Sequence, residues 1–179
     1  MRRYVDRLDR ALTRRSFRAR SRRLDSALVA VTRAANYSRL WLLIAGGLAA
    51  TGSKQARSAA GHGVLAIAIA SAVANGPAKL LVRRRRPFSR ARPALIPVPS
   101  TTSFPSGHSA SAFAFATAAC GELPALAPAL VPLAAAVAYS RVHTGVHYPS
   151  DVAAGAALGV ACGVLALRVP PHGHQDRGP

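Results

Sequence analysis

The sequence predicts an all-α integral membrane helical bundle of about five transmembrane helices, preceded by a basic amphipathic helix. Three observations lead there. Half of the 179 residues are hydrophobic, and they gather into five runs separated by polar stretches. The formal net charge is +18, from 24 Lys and Arg against 6 Asp and Glu. That charge is segregated: twelve arginines lie between Arg2 and Arg39 and six between Arg83 and Arg92. The only charged residues from Leu40 to Val82 are Lys54, Arg57 and Lys79, and from Ser106 to Leu167 Glu122, Arg141 and Asp151. Evenly spread basic charge would suggest nucleic acid. Basic segments flanking oily ones suit anionic headgroups instead, so no nucleic-acid partner is expected.

Residues 1–35 form the first expected unit. Tyr4, Val5, Leu8 and Leu12, then Leu24, Leu28 and Val31, recur at spacings of three and four. This is the period of one or two basic amphipathic helices lying on a membrane surface and binding anionic headgroups. A disordered basic tail is the competing reading. No cleavable signal peptide is expected, because the first long apolar run follows more than thirty basic-rich residues.

Residues 36–168 form the expected transmembrane unit. Its apolar segments are Leu40–Thr51, Ser58–Val82, Ser106–Gly121, Ala125–Tyr139 and Asp151–Leu167. The first is short and needs flanking residues such as Tyr37, or a locally thin bilayer, to span. Asn75-Gly76-Pro77 breaks the second. Gly155, Gly159 and Gly163 repeat every four residues in the fifth, which lets another helix approach closely. Several segments fall below twenty residues, so a soluble helical core competes with the membrane reading. Cys120 and Cys162 lie in apolar runs and read as small buried hydrophobes. Residues 169–179 read as a flexible tail. Arginine outnumbers lysine 22 to 2 and alanine is abundant, the usual mark of a high-GC bacterial genome.

Three polar motifs interrupt the apolar chain. In KLLVRRRRP, Lys79 and Arg86 are two cations that converge on one phosphate if the helix breaks between them. A topological arginine anchor is the bland alternative. Pro105-Ser106-Gly107-His108 directly precedes an apolar run. A helix starting there leaves backbone N–H groups for an anion. Ser106 adds a hydroxyl, Gly107 admits a ligand close to the backbone, and His108 is poised to give a proton. An N-cap with a stray histidine is the alternative. In SRVHTGVHYPSD, Arg141, His147 and Asp151 lie between the fourth and fifth segments. His147 and Asp151 are four apart and share a helix face. A carboxylate on one imidazole nitrogen leaves the other nucleophilic. His143, also four from His147, invites zinc, but no obvious Glu or Cys partner stands nearby and no metal is expected.

Taken in order, Lys-x6-Arg-Pro, Pro-Ser-Gly-His and Ser-Arg-x5-His-x3-Asp resemble the signature of the type 2 phosphatidic acid phosphatase (PAP2) superfamily. The matching residues span Lys79 to Asp151, and the likeness extends over most of the chain after Leu40. The resemblance implies a helical bundle shared with haloperoxidases, with its phosphate site at one membrane face. It implies that Lys79, Arg86 and Arg141 clamp a phosphate, completed by Ser106 and the Gly107 backbone. It further implies that His147 attacks phosphorus, Asp151 orients His147, and His108 protonates the leaving oxygen. No metal or other cofactor is implied. Full members often have six spans, one more than counted here.

The expected substrate is a lipid phosphate in a bacterial cell membrane. Candidates are polyprenyl phosphates or diphosphates, polyprenyl-phosphoryl sugar phosphates, phosphatidylglycerophosphate and phosphatidic acid. The basic amino terminus and the basic 83–92 loop put the site on the cytoplasmic face. The rival reading is a non-catalytic basic anchor or scaffold that binds anionic lipids. Oligomeric state is left open.

Overall fold

The computed structural model describes residues 2–87 and 93–170, so the flexible tail expected at residues 169–179 lies almost wholly outside the described residues. Eight α-helices follow one another there: α1 (Arg2–Arg18), α2 (Arg22–Ala34), α3 (Arg39–Ala50), α4 (Lys54–Asn75), α5 (Pro77–Leu81), α6 (Gly107–Glu122), α7 (Ala127–His143) and α8 (Pro149–Ala166). No strand occurs among the described residues.

Local chemistry sets the helix ends. The Ser53 hydroxyl accepts from Ala56 N–H to cap α4. Gly76 ends α4 with a backbone turn that Pro77 reopens as the first residue of α5. A Cβ at Gly76 would stand 2.7 Å from the Ala72 carbonyl oxygen, so the break needs glycine. Pro149 occupies the first turn of α8, where a missing N–H costs nothing.

The central helix is α6, packed against α4, α7 and α8. Its buried residues are small: Ala110, Ala112, Ala114, Ala116, Ala118 and Ala119 are all nearly or fully covered. Phe115 is the one large exception and meets Trp41 of α3 with ring centroids 5.5 Å apart. Gly155, Gly159 and Gly163 of α8 form the seam against α6. Cβ atoms there would collide with the Ser106 carbonyl, the Ala110 carbonyl and, at 2.6 Å, the Thr117 Cβ. The four-residue glycine spacing thus serves the close approach its pattern suggested.

Three described stretches are long and apolar enough to cross a membrane: Lys54–Leu81, Pro124–His143 and Pro149–Ala166. Helices α3 and α6, at 12 and 16 residues, rise about 18 and 24 Å, short of a bilayer core of about 30 Å.

Residues 1–35 fold as two helices that pack on α7 and α8. Helix α1 turns its polar side inward: Asp9, Thr13 and Ser16 are buried, while Tyr4, Leu8 and Leu12 are exposed. Asp9 accounts for part of this orientation, since it meets Arg84 and Ser150, and Phe17 is buried on the same side.

Enlarging the glycine seam overpacks it. Gly159→Val forces α8 away from α6 and is expected to cost about 1–3 kcal/mol. Thermal melting in detergent checks this, with a lowered midpoint expected for Gly159→Val and little change for the uncrowded Gly46→Ala.

Candidate active site

Helix breaks bring the three motifs to one end of the bundle. Lys79 sits in the last turn of α5, and the chain leaves helical structure at Val82 and turns at Arg84, whose N–H donates to the Val82 carbonyl at 3.1 Å. Lys79 Nζ and Arg86 Nη2 both donate to the Thr101 hydroxyl, at 3.4 and 3.2 Å. The two cations therefore converge once the helix ends, the condition their spacing set. Arg86 also donates to the carbonyls of Thr101, Thr102 and Val146 at 2.8–3.1 Å. Its Nη1 lies 3.0 Å from His147 Nε2. That contact makes Nε2 the acceptor and leaves the ring proton on Nδ1.

Arg141, 2% exposed, comes from the last turn of α7 and donates to the Thr32 hydroxyl of α2. Its Nε has no hydrogen-bond partner. His108, in the first turn of α6, places Nε2 2.9 Å from the Asn36 side-chain oxygen. Lys79, Arg86, Gly107, His108, Arg141 and His147 line one cavity of about 790 Å³. Arg33 and Arg39 line it too, and among the described residues no aspartate or glutamate does. A Cβ at Gly107 would press within 3.3 Å of Asn75.

Two sequence-predicted residues stand behind the cavity rather than in it. Ser106 is fully buried; its hydroxyl caps α6, accepting from Ser109 N–H at 3.4 Å and from the Ser109 hydroxyl at 2.9 Å. Asp151 is also fully buried. Its Oδ2 accepts from Tyr148 N–H at 2.9 Å, closing a capping box at the start of α8. The same Oδ2 lies 3.7 Å from His147 Nδ1, an ion-pair distance longer than a hydrogen bond. His147 and Asp151 do not share a helix: His147 lies in the loop before α8. The Ser106 N–H donates to the Asp151 carbonyl at 3.0 Å, which ties the second motif to the third.

Charge in the site is unevenly satisfied. Burial pushes the His147 imidazole down to about 4, reinforced by Arg141 and Arg86 against the pull of Asp151. The ring is therefore neutral near pH 7. Burial also lowers Arg86, with Asp151 offsetting part of that. For Arg84 burial alone would lower the pKa, but bonds to Asp9 and Asp151 outweigh it and raise it.

Several residues here escaped the sequence reading. Arg84 was one arginine in a run, yet its Nη1 donates to Asp151 Oδ1 at 2.7 Å. Asp9, Thr32 and Asn36 come from the chain before α3, Asn75 stood out only as part of a helix break, and Thr101 carried no expected role. Glu122 pairs with His62 at 2.9 Å at another part of the bundle. His143, the zinc alternative, gives Nε2 to Asp25 at 2.7 Å. Among the described residues no group of three metal-ligating side chains gathers.

A family model for the PAP2 superfamily matches residues 60–173. The chain belongs to the PAP2 superfamily. As a PAP2 protein it is a lipid phosphate phosphatase, a phosphoric monoester hydrolase, built as an all-α membrane bundle. It is similar to the crystal structure of Aquifex aeolicus LpxE, with 25% identity and a TM-score of 0.74 over 90% of this chain and 96% of that one. It is also similar in fold to a transmembrane PAP2-type phosphatidylglycerolphosphate phosphatase from Bacillus subtilis. There the identity is 24% and the TM-score 0.73, over 91% of this chain and 84% of that one. Comparison with curated proteins finds no match.

The depressed His147 pKa links to stability. The unfolded ring, near pKa 6.5, binds a proton that the folded ring resists until about 4. The contribution is present above pH 6.5 and is lost as pH falls toward 4, up to about 3 kcal/mol. The melting midpoint is expected to fall across that window, and less steeply in His147→Gln.

Proposed function

We propose that this PAP2 protein hydrolyses a lipid phosphate monoester or diphosphate without metal, through a phosphohistidine on His147. The observation that carries this reading is the cavity itself. Three cations, a neutral imidazole with its Nε2 lone pair facing Arg86, and a second histidine line one space, with Asp151 behind the nucleophile.

The residues divide the work by chemistry. Lys79, Arg86 and Arg141 take the phosphate oxygens, helped by the Gly107 backbone at the start of α6. Ser106 acts by capping that helix. His147 Nε2 forms the bond to phosphorus as the bond to the lipid oxygen breaks. His108 supplies the proton to that oxygen. Water, losing its proton to His108, then displaces His147 and releases phosphate. Asp151 holds the Nδ1 proton side of His147 and stabilises the cationic ring formed in between. The three cations supply the positive charge that a metal ion brings in other phosphoryl-transfer sites.

A phosphate alone does not fill about 790 Å³. Arg33 and Arg39 add two cations to the lining without an acid to offset them. This supports a headgroup carrying a second anionic group beside the scissile phosphate, as in phosphatidylglycerophosphate, a lipid diphosphate or a phosphorylated polyprenyl-phosphoryl sugar. On α1, exposed Tyr4, Leu8 and Leu12 stand beside exposed Arg7, Arg14, Arg15 and Arg18. That surface suits an anionic lipid interface. The basic amino terminus supports a bacterial cell membrane location with the site facing the cytoplasm.

Phosphate release by the detergent-solubilised protein tests the chemistry. Turnover unaffected by EDTA, accompanied by an acid-labile, base-stable phosphoenzyme and abolished in His147→Ala, is expected. Lipid binding without turnover would make the basic anchor the correct reading. A second assay compares phosphatidylglycerophosphate with phosphatidic acid. In Arg33→Gln/Arg39→Gln, KM is expected to rise about tenfold for the first and little for the second, the loss of one charge-assisted bond.

A further inference from the structure

All three acids in residues 1–35 pair with groups of the bundle, Asp6 and Asp9 with Arg84 and Asp25 with His143, and Asp9 does so most completely. It is 2% exposed. Its Oδ2 accepts from Arg84 Nη2 at 2.6 Å and from the Ser150 hydroxyl at 2.6 Å. Its Oδ1 accepts from Ser150 N–H at 2.9 Å. Arg84 in turn donates through Nη1 to Asp151 Oδ1 and to the Ser150 hydroxyl, both at 2.7 Å. The guanidinium lies 4.3 Å over the Tyr148 ring. A planar fork thus bridges two buried carboxylates, one on α1 and one beside His147.

We propose that Asp9 is a positioning residue for the phosphatase reaction, acting through Arg84 on the Asp151–His147 pair. The inference rests on the phosphatase reading above.

Charge balance gives the reason. Arg84 alone would neutralise Asp151 and weaken its hold on the His147 ring proton. With Asp9 on its other edge at 2.6 Å, and Asp6 farther off at 3.4 Å, Arg84 shares its charge among three carboxylates, and the unit keeps a net negative charge beside His147. That charge opposes the positive one that His147 gains when it bonds to phosphorus. Asp9 also keeps Arg84 from turning its fork toward the anionic substrate a few residues from Arg86. Exposed ion pairs contribute little, but this one is shielded: the Arg84 side chain is 20% exposed and Asp9 3%. Removing one member of such a buried unit leaves the other's charge unbalanced.

The experiment measures kcat and KM for phosphate release by full-length Asp9→Asn, Arg84→Gln and the double variant in detergent, with melting as a control on folding. Asp9→Asn keeps the shape and removes the charge. Its kcat is expected to fall at least tenfold with KM within about twofold, and the double variant to match Arg84→Gln rather than multiply the two losses. Wild-type kcat in Asp9→Asn, or losses that multiply, would overturn the proposal, because a residue that merely anchors α1 has no reason to be silent once Arg84 is gone. If Asp9→Asn does not fold, Arg84→Lys decides. Lysine keeps the charge but lacks the fork, so lost kcat supports the bridge and full kcat overturns it. A wild-type protein that releases no phosphate would instead refute the phosphatase reading.

Discussion

Positive charge gathered in a partly buried space, with no acid inside it, is the constraint on which this structure depends. Lys79, Arg86 and Arg141 repel one another, and a carboxylate among them would bind them in place of phosphate. The structure holds them with neutral acceptors. Arg86 uses all five of its N–H donors on carbonyls, a hydroxyl and the His147 ring. Lys79 leans on Asn75 and Thr101, and Arg141 on Thr32. Each cation is oriented, yet its charge stays available to an anion. The buried Arg141 Nε, without a partner, is the kind of group that a bound oxygen would satisfy.

The acids are kept one layer back. Asp151 lies behind His147, and Asp9 behind Arg84. The separation depends on how tightly α8 approaches α6. Gly155 meets the Ser106 carbonyl, and from there Ser106 N–H bonds the Asp151 carbonyl. The seam of small residues therefore sets the distance between the Pro-Ser-Gly-His turn and Asp151. Packing and chemistry share the same few atoms at this end of the bundle.

Much of this was legible in the sequence. The cation pair, the Pro-Ser-Gly-His turn and the His147–Asp151 spacing announced themselves because polar residues stand out sharply in an alanine-rich chain. The helix starts at Ser106 and Pro149 followed from capping chemistry, and the glycine repeat from its period. What the sequence could not give was which surface α1 would meet. Its apolar stripe suggested a face for burial, but Tyr4, Leu8 and Leu12 point outward and Asp9 points in. Amphipathic periodicity finds the two faces of a helix; it does not say which neighbour is polar. Arg84 was hidden for a related reason, since four consecutive arginines look alike until the fold aims each one.

A sharper signal was present in the sign of the charges. Residues 1–35 hold only three acids, Asp6, Asp9 and Asp25, among eleven arginines. On a purely electrostatic membrane anchor each acid would oppose binding to anionic lipid. In the structure Asp6 and Asp9 meet Arg84, and Asp25 meets His143. The minority charge thus marks the side of these helices that faces protein. Where a strongly basic helix keeps a few acids, their positions locate its protein partner better than its apolar stripe does.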